Sequence, residues 1–222
     1  MKPRVVVSWS TGKDSAWCLH MLRSAGDVEV VGLVTTMTRA FDRVSVHGTR
    51  RSLLHAQARQ LGLAAHEVRL PHPCSNEQYE NAFQAALGDL RTNLHATHIA
   101  FGDLFLEDVR SYRETILEGT GLVPLFPLWG LNTTELAYEM VAYGLDALIV
   151  SAPEGSPAAG LVGRRWHPSS LVGLEGIDPC GERGEFHTCV IAAPGLSSLP
   201  VAVGPVIRRD GALYADVLLE DE

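Results

Sequence analysis

The run Ser10-Thr11-Gly12-Lys13-Asp14-Ser15 follows a short apolar stretch, Arg4 to Trp9, and opens a helical pattern. Small residues at such a junction let backbone N–H groups point at an anion, hydroxyls add donors, and a lysine adds charge. This is how an α/β protein grips phosphate. The chain has two lysines against sixteen arginines, so the lysine at position 13 is a selective choice. A compact ammonium fits a crowded phosphate loop better than a planar guanidinium does. Asp14 is a suitable carboxylate for a magnesium ion, which takes one or two protein carboxylates and completes its shell on phosphates. The same residues would also make a plain helix start, with Ser10 or Thr11 as N-cap and Asp14 on the dipole.

A second dense cluster, Gly176 to Thr188, places Asp178, Cys180, Glu182, Arg183, Glu185 and His187 directly before a strand-like run. Its two glutamates and imidazole suit the orientation of an amine, metal binding or proton transfer. Gly102-Asp103 stands at another strand-to-helix junction, followed by Arg110 and Arg113. Those arginines would clamp an anion or, with Glu107 and Glu114, pair along a helix face; for Arg113 the pairing is the favoured reading. His47 enters a further helix, and Thr36 and Met37 end the second strand-like run, where they would line a base pocket.

These groups need a scaffold. Apolar runs at 5–9, 28–36, 66–70, 98–101, 123–126 and 147–150 alternate with helical patterns at 15–24, 50–61, 76–94, 108–118 and 134–143. Near-continuous apolar strands alternating with helices predict a doubly wound parallel sheet. In such sheets ligands sit beyond the carboxyl ends of the strands, where strand order reverses. If the first and fourth strands flank that point, Ser10–Ser15 and Gly102-Asp103 share one crevice. After residue 150 the texture changes: a Gly, Pro and Ala connector, then strands at 186–192, 201–207 and 213–219, the last two joined by a hairpin turn at Arg209-Asp210-Gly211. The expected division is a nucleotide-binding domain over 1–150 and a small β-rich substrate unit over 151–222.

Composition narrows the class. An apolar fraction of 46 % supplies a core, and no run reaches the roughly 18 apolar residues that span a bilayer. The opening apolar run is too short for a secretory signal, and four cysteines without metal-site spacing fit a reducing cytoplasm. A net charge of −8 disfavours nucleic acid as a partner. Oligomeric state is not legible, and a homo-oligomer stays open.

The loop lacks the glycine and hydroxyl positions of a Walker A sequence, which here hold Val7 and Asp14, and it is not a G-x-G-x-x-G fingerprint. It resembles Ser-Gly-Gly-x-Asp-Ser, the pyrophosphate loop of ATP pyrophosphatases, with Thr11 in place of the first glycine. Together with Gly102-Asp103, Pro127-Leu128-Trp129 and Gly181-Glu182-Arg183-Gly184-Glu185-Phe186-His187-Thr188, the chain is similar to the diphthine–ammonia ligase group of that superfamily. Arg183 and Phe186 depart from that group's C-terminal signature. The resemblance implies a HUP-type α/β fold, ATP and magnesium as cofactors, and cleavage of ATP to AMP and pyrophosphate. A carboxylate acceptor would be adenylated and attacked by ammonia or an amine. It further implies that Ser10, Thr11, Gly12, Lys13, Asp14 and Ser15 hold the nucleotide with Thr36, Met37, His47, Gly102 and Asp103. Lys13 and Asp14 would act on the departing pyrophosphate, and Glu182 and Glu185 on the acceptor. Two rivals remain: tRNA thiolation, which would need a reactive Cys180, and an adenine-nucleotide sensor of the universal-stress type.

Overall fold

A computed structural model describes residues 2–220. The elements are β1 (Arg4–Ser8), α1 (Lys13–Ala25), β2 (Glu29–Thr38), β3 (Arg43–Val44), α2 (Arg51–Leu61), β4 (Ala65–Leu70), α3 (Asn76–Leu94), β5 (His98–Ala100), α4 (Glu107–Leu117), β6 (Val123–Leu125), α5 (Thr133–Ala142), β7 (Asp146–Pro153), β8 (His187–Ala192), β9 (Val201–Arg209) and β10 (Ala212–Leu219).

The first sheet runs β3-β2-β1-β5-β6, with β4 also on β2. All its pairings are parallel except the short β2–β3 contact. β1 shows why the run reads as unbroken apolar sequence: Val5, Val6 and Val7 are all fully buried, with helices on both faces. Successive side chains point to opposite faces of a strand. Val5 and Val7 accordingly join a core with Trp17 and Leu22 of α1, whereas Val6 joins another with Phe83 and Leu87 of α3 and Ile116 of α4. The fold is the expected HUP-like α/β arrangement, and β1 and β5 are neighbours, as the crevice argument requires.

The second sheet, β8-β7-β10-β9, is antiparallel. Here one expectation is corrected. The run 147–150 belongs to β7 of this sheet, so a division at residue 150 cuts through a strand, and the chain leaves the parallel sheet before Asp146. The run was ambiguous because β7 is also covered on both faces. Ala147 and Ile149 pack into the core of α1, and Leu148 and Val150 pack with Leu53 and Ala56 of α2. Burial on two sides gives the same sequence texture in either kind of sheet.

Local chemistry sets the element ends. α3 begins with a capping box, in which Ser75 accepts from the Gln78 N–H and Gln78 accepts from the Ser75 N–H. The β9–β10 hairpin turns on Asp210 and Gly211, both at positive φ (51° and 77°), as a two-residue hairpin of matching twist requires. Between the sheets, Asp216 of β10 accepts from Arg43 of β3 and from Arg50 (2.8 Å and 2.6–2.9 Å). The hydrogen bond from Arg50, reinforced by Arg43, holds its carboxyl down at about 2 despite burial. That network fastens the C-terminal sheet to the parallel sheet.

Candidate active site

Thr11 takes the conformation that a glycine would take. Its φ is +68°, in the left-handed region where a β-branched residue is strained. The loop is held there by neighbours. The Thr11 carbonyl accepts from Val190 N (2.8 Å) and Gln57 Nε2 (3.3 Å), and its hydroxyl meets Thr49 Oγ1 (2.7 Å). Gln57, fully buried, also accepts from Trp9 Nε1 (2.9 Å) and donates to Val190 O (2.7 Å), so one side chain ties the loop to β8. A side chain at position 12 would crowd its neighbours: a Cβ there would lie 2.7 Å from His47 Cε1 and 3.1 Å from the Thr188 carbonyl. Ser15 Oγ donates to Gly12 O (2.9 Å) and lies 3.3 Å from Ser10 Oγ, closing the first helical turn.

Lys13 is 1 % exposed. Its N–H donates to Thr188 Oγ1 (3.1 Å), and its ammonium donates to both Asp14 oxygens (2.8 Å each) and to the Cys180 carbonyl. The rings of Trp166 and Phe186 flank it at 5.5 and 5.7 Å. Burial works against the ammonium, but the Asp14 carboxylate outweighs it, and Lys13 stays charged with its pKa above the ordinary value.

The second wall comes from β5. A Cβ on Gly102 would stand 2.8 Å from the Asp14 carbonyl carbon and oxygen, so glycine is what lets the two backbones approach. Asp103 lies 3.5 Å from Arg113 Nε, and Arg113 stacks 4.9 Å from the Phe101 ring centre. The expected helix-face pairing is corrected for Arg113: it turns into the crevice, whereas Arg110 makes the pair with Glu114 (2.9 Å).

The C-terminal turn supplies the third wall. Glu182 Oε1 accepts from Leu104 N (2.7 Å), and burial raises its pKa to about 7, with Asp14 and Asp103 adding to the effect. His47 and His187 face each other at 4.9 Å. His47 donates Nδ1–H to the Thr188 carbonyl (2.8 Å), which leaves Nε2 with its lone pair. Desolvation lowers these imidazoles to about 4 and about 3, so both are neutral at pH 7.

Together these walls enclose a cleft of about 320 Å³. Ser10, Lys13, Asp14, Ser15, Thr36, His47, Gly102, Asp103 and Glu182 line it, whereas Thr11 and Gly12 are buried behind it. Two further expected residues fall elsewhere. Met37 follows Thr36 on a strand and so points to the opposite face, into the core at 1 % exposure. Glu185 turns back on its own segment, accepting from the Asp178 N–H (2.9 Å). Cys180 lines the cleft, but its thiol donates to the Thr133 carbonyl, and burial pushes it up to about 12. A thiol so held carries little thiolate at neutral pH, the form that a thiolation chemistry needs.

The residues that sequence reasoning missed are Gln57, Thr49, Trp166 and the segment Ser45-Val46, all brought in by long-range packing. Among the described residues no group of three or more His, Cys, Asp or Glu side chains could hold a metal ion, and no helix is long and apolar enough to cross a membrane. No curated protein matches the chain. The family model for the diphthamide synthase N-terminal domain matches residues 3–124, which hold the loop, the β5 junction and the whole parallel sheet up to β6. The chain therefore belongs to the diphthamide synthase family of PP-loop ATP pyrophosphatases, a family of ATP-utilising enzymes.

Proposed function

We propose that the chain is an AMP-forming amide ligase. A carboxylate oxygen of the acceptor attacks the α-phosphorus of ATP and pyrophosphate leaves. Ammonia or an amine then attacks the acyl carbon, AMP leaves, and the nitrogen gives up a proton. The observation that carries this reading is the single cleft shared by the β1 loop, with its charged Lys13, and by Glu182, a carboxyl raised to about 7. A group of that pKa can take a proton at neutral pH.

The chain's own residues divide the work. The Ser10 hydroxyl and the amides of Asp14 and Ser15, at the N-terminus of α1 on the cleft, seat the polyphosphate, and the Lys13 ammonium lies where negative charge builds on the leaving group. Glu182, anchored on Leu104 N, accepts the proton from the attacking nitrogen. Magnesium fits as a passenger on the nucleotide: Asp14 and Asp103 are the carboxylates of the β1 and β5 loops on the cleft, and that ion needs only one or two. When bound it withdraws charge from the phosphates. The acceptor and the nitrogen donor are small molecules or a protein side chain, and the place of action we propose is the cytoplasm.

Incubation with ATP, magnesium and a cell metabolite pool, following pyrophosphate and AMP together with new masses, tests the proposal. AMP and a product heavier by an amide are expected. Nucleotide binding with no AMP under any acceptor and amine would favour the sensor reading instead.

A further inference from the structure

The rim of the cleft carries a second strained residue. Val46 has φ +66° and sits at the centre of a three-residue turn in which His47 N donates to Ser45 O (2.7 Å). A γ-turn of this sign is rare and strained, and more so for a β-branched side chain. Four further contacts keep it in place. Ser45 N donates to Thr36 O (2.9 Å), Gly48 N to Val44 O (2.9 Å), Ser151 Oγ to Val46 O (3.3 Å), and His47 Nδ1 to Thr188 O (2.8 Å). Strain of this kind persists only where the surroundings over-determine it, and it collects at ligand clamps.

The side chain so held gains nothing from the core. Val46 is 62 % exposed and lines the cleft. The cleft is also divided by charge. On the side of β2 and β3 its lining is Val34, Thr36, Val44, Ser45 and Val46, all uncharged, whereas the α3, β5 and C-terminal side mixes Asp103, Arg113 and Glu182 with Tyr79, Phe83 and Phe101. With the polyphosphate on the Ser10–Ser15 loop, a flat uncharged group goes to the first side and an ionic acceptor to the second.

We infer that Val46 is a specificity-determining residue for the nucleotide: the strained turn presents it as the apolar face against which the purine base packs. The inference rests on the reading of the cleft as an ATP site. The turn covers the base end and takes no part in the chemical step. It also supplies the outer wall that Met37, buried in the core, does not.

The test is calorimetric titration of magnesium–ATP, magnesium–CTP and inorganic tripolyphosphate into wild type, Val46→Gly and Val46→Ala, with thermal melts of each. Both variants are expected to bind ATP about five- to tenfold more weakly, to lose most of the preference for ATP over CTP, and to bind tripolyphosphate as wild type does. Val46→Gly should melt about 2 °C higher, because glycine takes positive φ without strain, while Val46→Ala should not. ATP affinity within twofold of wild type in both variants overturns the role of Val46 and leaves the ATP site standing. Equal weakening of ATP and tripolyphosphate overturns it too, since the turn would then be bracing the phosphate loop. Wild type that binds neither ATP nor tripolyphosphate sinks the underlying site and this inference together.

Discussion

The loop that leaves β1 and the turn that precedes β8 both mix small and charged residues and meet in one cleft, yet they are held in opposite ways. The β1 loop is shaped from outside. Val190, Gln57, Thr49 and Thr188 satisfy the Thr11 carbonyl and hydroxyl and the Lys13 N–H, and Lys13 and Asp14 form a charged pair at the cleft. The C-terminal turn is shaped by its own acids. Glu185 accepts from Asp178 N, and Asp178 Oδ2 accepts from Glu182 N (3.0 Å). Of its three carboxyls, only Glu182 reaches across to the β5 junction. Two acids three residues apart thus have different jobs, because one turn cannot both fold on its carboxylates and spend them on substrate.

Variants break or sharpen this contrast. Lys13→Ala should have the largest effect, lowering pyrophosphate release about a thousandfold in a coupled assay, as loss of a charge aimed at a developing anion does. A rate within tenfold of wild type would mean that the β1 loop only shapes the cleft.

Glu182→Gln should lower kcat about a hundredfold with the KM for ATP unchanged. The pH profile supplies the finer check. Glu182 acts as a base only when ionised, and its pKa is raised to about 7, so the wild-type rate should rise with pH through 7 and then level. The variant should lose that limb.

Asp216→Asn addresses how the two regions are joined. Its depressed pKa, from 3.8 to about 2, means that the network adds stability which is fully present above pH 4 and is lost as pH falls through 2. The variant should be about 2 kcal/mol less stable at pH 7 in urea unfolding, and the deficit should shrink towards pH 2.

Glu185→Gln should do least. A glutamine carbonyl can still accept from Asp178 N, so ATP affinity and kcat should stay within about twofold of wild type. A loss as deep as that of Glu182→Gln would make the two glutamates partners in the cleft and erase the distinction drawn from their hydrogen bonds.

Most of the scaffold was legible because its signals are local. The predicted helix at 76–94 is the observed α3 to the residue, bounded by Ser75 with Gln78 in the capping box. The Asp210-Gly211 turn was legible for the same reason. The β1 loop announced itself through small residues and one lysine at a strand-to-helix junction. What failed was of another kind. The strand at 147–150 was placed in the wrong sheet because two-sided burial carries no label of which helices provide it. Met37 was counted with Thr36 although a strand sends neighbours to opposite faces, a rule that needs only the phase of the strand to apply.

By itself the amino-acid sequence determined the alternating α/β order, the phosphate-type loop with its lysine, and the presence of an acidic turn before the last three strands. Each depends on interactions within a few residues: periodicity, caps, positive-φ turns. Only the tertiary structure decided that Thr11 would take a glycine's conformation, that Glu182 and not Glu185 would face the cleft, that the Cys180 thiol would turn to the Thr133 carbonyl, and that Val46 would be held strained at the rim. Those outcomes hang on contacts from Thr49, Gln57, Thr188 and Val190, far along the chain, whose packing energy outweighs local preference at the few positions where the two disagree.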